Sequence, residues 1–225
     1  MRRRLQIESL ESRRLLTAAM TVPIDLSMDP SVMQLGHNTT PYVFDDELYF
    51  SALHPELGFE LWKQSSLGET PVLVKDIYPG LRSSDPMHFF EFNNELYFGA
   101  LTQTGEYELW KTNGTPEGTV AVMTIRGRGV ASVDPFVAPT LEYAVVGEQL
   151  LLVAGLPERG FELWKSDGTP EGSAIVSDIV PGPNGSNASE LTALDGEVYF
   201  VTSVDNGLWK SMARRKEPST MLPST

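Results

Sequence analysis

All four tryptophans of this chain, Trp62, Trp110, Trp164 and Trp209, follow a leucine and precede a lysine, and they stand 48, 54 and 45 residues apart. A residue type used four times in the same company marks an internal repeat, and self-similarity at this period points to stacked supersecondary units. Such a unit is too small to bury its apolar faces alone, so its copies must cover one another.

Three copies read Phe59-Glu60-Leu61-Trp62-Lys63, Tyr107-Glu108-Leu109-Trp110-Lys111 and Phe161-Glu162-Leu163-Trp164-Lys165, and the fourth is the shortened Asn206-Gly207-Leu208-Trp209-Lys210. Ahead of them lie the apolar runs Leu48-Tyr49-Phe50, Leu96-Tyr97-Phe98, Leu150-Leu151-Leu152 and Val198-Tyr199-Phe200. Tyr49, Tyr97 and Leu151 precede their tryptophans by 13 residues and Tyr199 precedes Trp209 by 10, which puts a three-residue deletion in the connecting turn of the fourth copy. Before each run stands a turn-forming pair, Asp45-Asp46, Asn93-Asn94, Val146-Gly147 or Asp195-Gly196, of the kind that joins two strands of a hairpin. The first strand of each unit is then Pro41–Phe44, Met87–Phe90, Glu142–Val145 and Glu190–Ala193.

After the tryptophan come the second turn, Asn113-Gly114-Thr115-Pro116-Glu117-Gly118 or Asp167-Gly168-Thr169-Pro170-Glu171-Gly172, and a fourth strand at Val72–Ile77, Val120–Ile125 and Ala174–Ile179. Pro79-Gly80 and Pro181-Gly182 end two of these units and permit the crossing to the next. Four short antiparallel strands per unit predict an all-β, β-propeller-like domain of about four blades. Successive apolar residues such as Leu96, Tyr97 and Phe98 require cover on both faces, which neighbouring blades supply. The residues expected to anchor this packing are Trp62, Trp110, Trp164 and Trp209, the leucines before them, Leu61, Leu109, Leu163 and Leu208, and Tyr49, Tyr97 and Tyr199.

The fourth copy has no recognisable fourth strand, because Ser211–Pro218 is basic and interrupted. Upstream of the first copy, residues 20–27 carry Asp25 followed by Leu26, as Asp76 precedes Ile77, so they are expected to complete the fourth blade and close the ring as a monomer. The alternative is a truncated part of a larger propeller, whose open end would pair with a second chain. The chain divides into a basic export-type or disordered segment at 1–19, the repeat domain at 20–212 and a disordered tail at 213–225.

The repeat resembles the ELWxxDGT repeat proteins of bacteria, found notably in planctomycetes. The third copy matches that motif through Glu162, Leu163, Trp164, Asp167, Gly168 and Thr169; the second has Asn113 for Asp, and the first keeps Glu60, Leu61 and Trp62 with Ser65 and Ser66 in place of Asp and Gly. The resemblance spans about residues 38–210 and implies propeller-like architecture without a defined activity. Leu10-Glu11-Ser12-Arg13-Arg14-Leu15-Leu16 is similar to the LEPR-XLL element of large planctomycete surface proteins, with Ser12 for its proline, which implies export to the cell surface or beyond.

Charge narrows the partners. The formal net charge is -13, and residues 20–210 hold 9 basic against 27 acidic side chains, a body that repels phosphate backbones and argues against nucleic-acid binding. There is no cysteine for a disulfide or thiolate site, and the longest apolar runs are strand-sized, too short for a transmembrane segment.

No constellation for catalysis stands out. His37, His54 and His88 sit at unrelated repeat positions without zinc-ligand spacing, no Gly-x-Ser-x-Gly elbow is present, and Gly127-Arg128-Gly129 lacks the third glycine of a dinucleotide loop. Catalytic, cofactor and metal residues are therefore assigned to none. Calcium is the alternative, through Glu69, Glu117 and Glu171 seven residues after their tryptophans and Asp76 and Asp178 fourteen after, but turn chemistry explains the same positions. The expected role is a non-catalytic extracytoplasmic binding or scaffold module with a protein or glycan partner. A lectin-like or glycan-active propeller, using exposed tryptophans, is the alternative.

Overall fold

The computed structural model describes residues 34–36, 40–66, 69–127, 141–204 and 207–212. Within them the chain is all-β, with sixteen strands and no helix. The first blade comprises β1 (Gln34–Leu35), β2 (Tyr42–Phe44), β3 (Glu47–His54), β4 (Gly58–Gln64) and β5 (Val72–Lys75), with β1 and β2 both pairing antiparallel with β3. The second is β6 (Met87–Phe92), β7 (Glu95–Leu101), β8 (Tyr107–Thr112) and β9 (Val120–Arg126). The third is β10 (Tyr143–Val146), β11 (Gln149–Leu156), β12 (Gly160–Ser166) and β13 (Ala174–Ser177), and the fourth is β14 (Ser189–Leu194), β15 (Glu197–Val201) and β16 (Leu208–Met212). Apart from β1, which pairs with β3 beside β2, each blade is an antiparallel meander in chain order, which is the β-propeller-like architecture the repeat predicts.

The hairpins follow from their turn residues. Asp45 and Asp46, Asn93 and Asn94, and Asp195 and Gly196 all take positive φ, the two-residue turn whose twist suits paired strands. In the third blade the turn lies one residue later than the sequence suggests, at Gly147-Glu148, because Val146 pairs with Gln149. The shortened fourth copy keeps its cross-strand register, since Phe200 faces Trp209 as Phe50 faces Trp62, so the lost residues do come out of the hairpin connection. Between Leu and Trp of the repeat the register shifts against the following strand in each of the first three blades, a bulge that re-aims the indole.

The core lies between blades. Tyr49, Leu61, Val74 and Ile77 of the first blade pack with Leu96, Phe98 and Ala100 of the second. Met87, Phe90, Tyr97 and Leu109 of the second pack with Leu150 and Leu152 of the third. Ala144, Leu151 and Leu163 of the third pack with Val198 and Phe200 of the fourth. Leu96, Tyr97 and Phe98 are all fully buried, as successive apolar residues in a strand covered on both faces must be.

Ser211 and Met212 extend β16, continuing the pairing of Leu208–Lys210 onto Val198 and Glu197, and one expectation needs correction. Leu208 and Trp209 are not buried anchors: they are 73% and 39% exposed, since among the described residues no strand pairs on the far side of β16 and no further blade covers it. Residues 20–27, expected to supply that strand, lie outside the described residues, as do segments 1–19 and 213–225.

Candidate binding surface

The glutamate of the repeat is turned inward. Glu60 is fully buried, its Oε2 accepting the Ile77 N–H at 2.8 Å and the Ser84 hydroxyl at 2.6 Å, its Oε1 the N–H groups of Ser84 at 3.1 Å and Tyr78 at 3.3 Å. Glu162 repeats the arrangement with Val180 N–H at 2.9 Å, Ser186 N–H at 3.0 Å and the Ser186 hydroxyl at 2.7 Å. These donors flank Pro79-Gly80 and Pro181-Gly182, with Ile77, Tyr78 and Val180 before the pair and Ser84 and Ser186 after it, so the carboxyl clasps the link between one blade and the next. Burial pushes Glu60 up to about 7, against the pull of its four donors. Burial also raises Glu108, whose corresponding crossover, 128–140, lies outside the described residues.

The second turn closes on itself. Asp167 Oδ1 accepts the Thr169 N–H at 2.9 Å and its hydroxyl at 2.7 Å, Thr169 Oγ1 accepts the Gly172 N–H at 3.0 Å, and the Ser173 hydroxyl donates to the Thr169 carbonyl at 2.7 Å. Asn113, Thr115, Gly118 and Thr119 reproduce every one of these bonds. The Thr169 hydrogen bonds hold the Asp167 carboxyl below its ordinary range. These oxygens serve turn geometry.

On the opposite face each tyrosine blade carries a polar triad. In the first, Glu47 Oε2 accepts from the Tyr49 hydroxyl at 3.0 Å and from Lys63 Nζ at 2.9 Å. Burial, which would raise the Glu47 carboxyl, is outweighed by its Lys63, Ser65 and Tyr49 hydrogen bonds, leaving it below the usual range. The second blade has Lys111 on Glu95 at 2.9 Å with Tyr97 beside the pair, its buried hydroxyl making no hydrogen bond among the described residues. The turn of the following blade sits on this triad. A Cβ on Gly114 would stand 2.5 Å from the Tyr49 hydroxyl, 3.2 Å from Lys63 Nζ and 3.4 Å from Glu47 Oε2, and one on Gly168 would overlap the Tyr97 hydroxyl. Both glycines also have positive φ, +85° and +91°. Glycine is therefore fixed there twice, by backbone and by neighbour.

The anchors divide accordingly. Leu61, Leu109 and Leu163 are at most 1% exposed, and Tyr49 and Tyr97 are equally buried. Trp110 packs on the cluster between the first two blades and Trp164 on that between the second and third. Trp62 packs with Phe50 and Ala52 and stacks on His54 with centroids 5.9 Å apart. The fourth blade has the triad, Tyr199 to Glu197 at 2.9 Å and Lys210 to Glu197 at 2.9 Å, on a face where Leu208 and Leu194 stand 73% and 57% exposed. The clasping serines lie outside the repeat motif, and their signal in the sequence is spacing alone, since Ser84 and Ser186 each follow their glutamate by 24 residues.

Among the described residues no three His, Asp or Glu side chains converge as a metal site. Asp178 instead pairs with Arg159 at 2.9 Å. Nor, among them, is any helix long and apolar enough to cross a membrane.

No protein of curated function matches the chain. Solved structures similar to it include BamB from Moraxella catarrhalis, 13% identical over 79% of this chain and 46% of that one with a TM-score of 0.36. The α-L-arabinofuranosidase CtGH43 from Clostridium thermocellum is 12% identical over 76% of this chain and 67% of its own, at 0.34. The Bacteroides ovatus xyloglucan PUL GH43B is 14% identical over 78% of this chain and 40% of its own, at 0.36. The chain spans less than half of the first and third of these. Likeness at this level says nothing about activity, and the architecture stands on strand order and register. Residues 1–20 match the family described as "Planctomycete extracellular", which fits an extracytoplasmic location.

Proposed function

We propose that the chain is a non-catalytic repeat module that binds or braces other proteins at the cell surface. One observation carries this: the leucine that is buried in three blades is 73% exposed in the fourth, on a face that otherwise keeps the polar triad of an inter-blade contact. The repeated polar groups are spent on the fold itself, Glu60 and Glu162 on crossovers and Asp167 on its turn. A net charge of -13 opposes nucleic acid as a partner.

One observation favours a glycan instead, the partly exposed indole of Trp209, since an open aromatic can stack on a sugar. The full chain, presented to an array of plant and bacterial polysaccharides and assayed for release of reducing sugar, is expected to retain none and cleave none. Retention that disappears in Trp209→Ala would establish the lectin role, and sugar release would establish an enzyme.

A further inference from the structure

Two junctions of this chain seat the glycine of one blade's turn on the tyrosine of the blade before. Tyr49 meets Gly114, and Tyr97 meets Gly168. The third blade has Leu151 for the tyrosine and Gln149 for the glutamate. The fourth blade then restores all three members: Glu197 accepts from Tyr199 at 2.9 Å and from Lys210 at 2.9 and 3.2 Å. Beside them Leu194 and Leu208 are the exposed equivalents of side chains that the next blade covers elsewhere.

We propose that this face of the fourth blade docks a blade of a second polypeptide whose turn carries Asp or Asn followed by Gly, the glycine seated on Tyr199. The claim rests on the scaffold function above and names the partner's chemistry. Glycine is required because a Cβ at that place meets the tyrosine hydroxyl at 2.5 Å or less. An acidic residue before it suits the lysine of the triad, since the charge of Lys111 adds to the Thr169 hydrogen bonds that lower the carboxyl of Asp167. The chain's own first blade fails on both counts. Its turn has Ser66 at the glycine position and Ser65 before it, and Ser65 gives its hydroxyl to Glu47 of its own blade at 2.9 Å. A second copy would present the same Ser66. That mismatch has a use: a turn matching Tyr199 on the same chain would make a heterologous contact that propagates into rings or filaments, whereas Ser66 blocks it.

The test gives the full chain a matched but capped partner: the same chain with Ser65→Asp and Ser66→Gly to supply the turn, and Tyr199→Leu to remove its own docking face. Sedimentation velocity of wild type with this partner should show a 1:1 complex, and Tyr199→Leu in the wild-type member should weaken it about tenfold or more, the loss of one well-packed contact. A cyclic peptide with the sequence of residues 164–175 is the second probe. It should shift wild-type resonances of Tyr199 and Leu208, and its Gly168→Ser version should not. Silence of both probes overturns the proposal, as does binding indifferent to Tyr199→Leu and to the serine peptide. Self-association of the unaltered chain through Tyr199 would make a second copy the occupant and overturn the choice of partner. Polysaccharide retention with both probes still binding would count against the scaffold function alone.

Discussion

Replacing Glu60 by glutamine should be costly at mildly acidic pH and much less so above neutrality. The reason lies in the clasp. With its carboxyl pushed up to about 7, Glu60 is neutral in the folded protein at about pH 5, with Oε2 protonated toward Ser84 Oγ, 2.6 Å away, and the serine hydroxyl free to donate to the Phe59 carbonyl at 3.3 Å. In Glu60→Gln the amide nitrogen takes the place of Oε2. One of its protons can follow the same path to Ser84, but the other has no acceptor, and the Ile77 N–H that Oε2 accepted at 2.8 Å now faces a donor. A buried unsatisfied group costs about 1–3 kcal/mol, so the substitution should cost about 2–4 kcal/mol at pH 5. As the pH rises, a carboxyl whose folded value is raised from 4.5 to about 7 is lost progressively as a stabilising group, because the unfolded chain ionises first. Wild type therefore loses up to about 3 kcal/mol between roughly pH 4.5 and 7, and glutamine loses none of it. Other carboxylates titrate alike in both proteins and cancel in the difference. Urea unfolding followed by the fluorescence of the 4 tryptophans at about pH 5 and pH 8 measures the gap. A gap that widens with pH would show that the four donors hold Glu60 charged, and would refute the claim that burial outweighs them.

Two further substitutions separate inter-blade packing from surface exposure. Trp110→Ala should cost about 3 kcal/mol or more in the same unfolding assay, whereas Trp209→Ala, on a partly exposed indole, should cost under about 1 kcal/mol. Equal losses would mean that Trp209 is covered in solution. Gly168→Ala should destabilise by about 1–3 kcal/mol through its φ of +91° and the Tyr97 hydroxyl, and Tyr97→Phe should recover part of that in the double variant, whereas strict additivity would show that the two residues do not meet.

How much of this was legible depended on how local the cause was. Leu96-Tyr97-Phe98, Asn93-Asn94 and the Trp spacing are statements about neighbours in the chain, and they specify strands, turns and period with no knowledge of the fold. Even there, the sequence suggests Val146-Gly147 as the turn while the fold uses Gly147-Glu148, because Val146 has the strand-forming side chain and stays in β10. The burial of Glu60 was hidden because glutamate is ordinarily a surface residue, although its recurrence in the motif and the serine 24 residues on, present twice, were a signal. The contact between Gly114 and Tyr49 joins residues of different blades, and only the register of stacked blades brings them together. Leu208 and Trp209 are exposed despite carrying the motif, because the motif specifies which way a side chain points, not whether a neighbour is there to meet it.

The repeat motif can accordingly be understood as a connector working in two directions. Its glutamate secures the crossover to the next blade through Ser84 or Ser186, while its turn glycine rests on the tyrosine of the blade before, as Gly114 rests on Tyr49. Its leucine and tryptophan, split by the bulge, belong to opposite faces of the same strand and so pack toward both neighbours. Nothing in the motif needs an external ligand for these roles, which is why it can recur while the blades diverge around it. The departures are then the informative copies. Where the first blade has Ser65-Ser66 and the third has Leu151, an element of the junction is absent, and the third and fourth blades still pack through Leu151, Leu163, Val198 and Phe200. The fourth blade keeps Glu197, Tyr199 and Lys210 on an open face. A tyrosine whose counterparts are fully buried, set beside a leucine that is 73% exposed, is better accounted for by a neighbour it receives than by the surface it would otherwise leave in water.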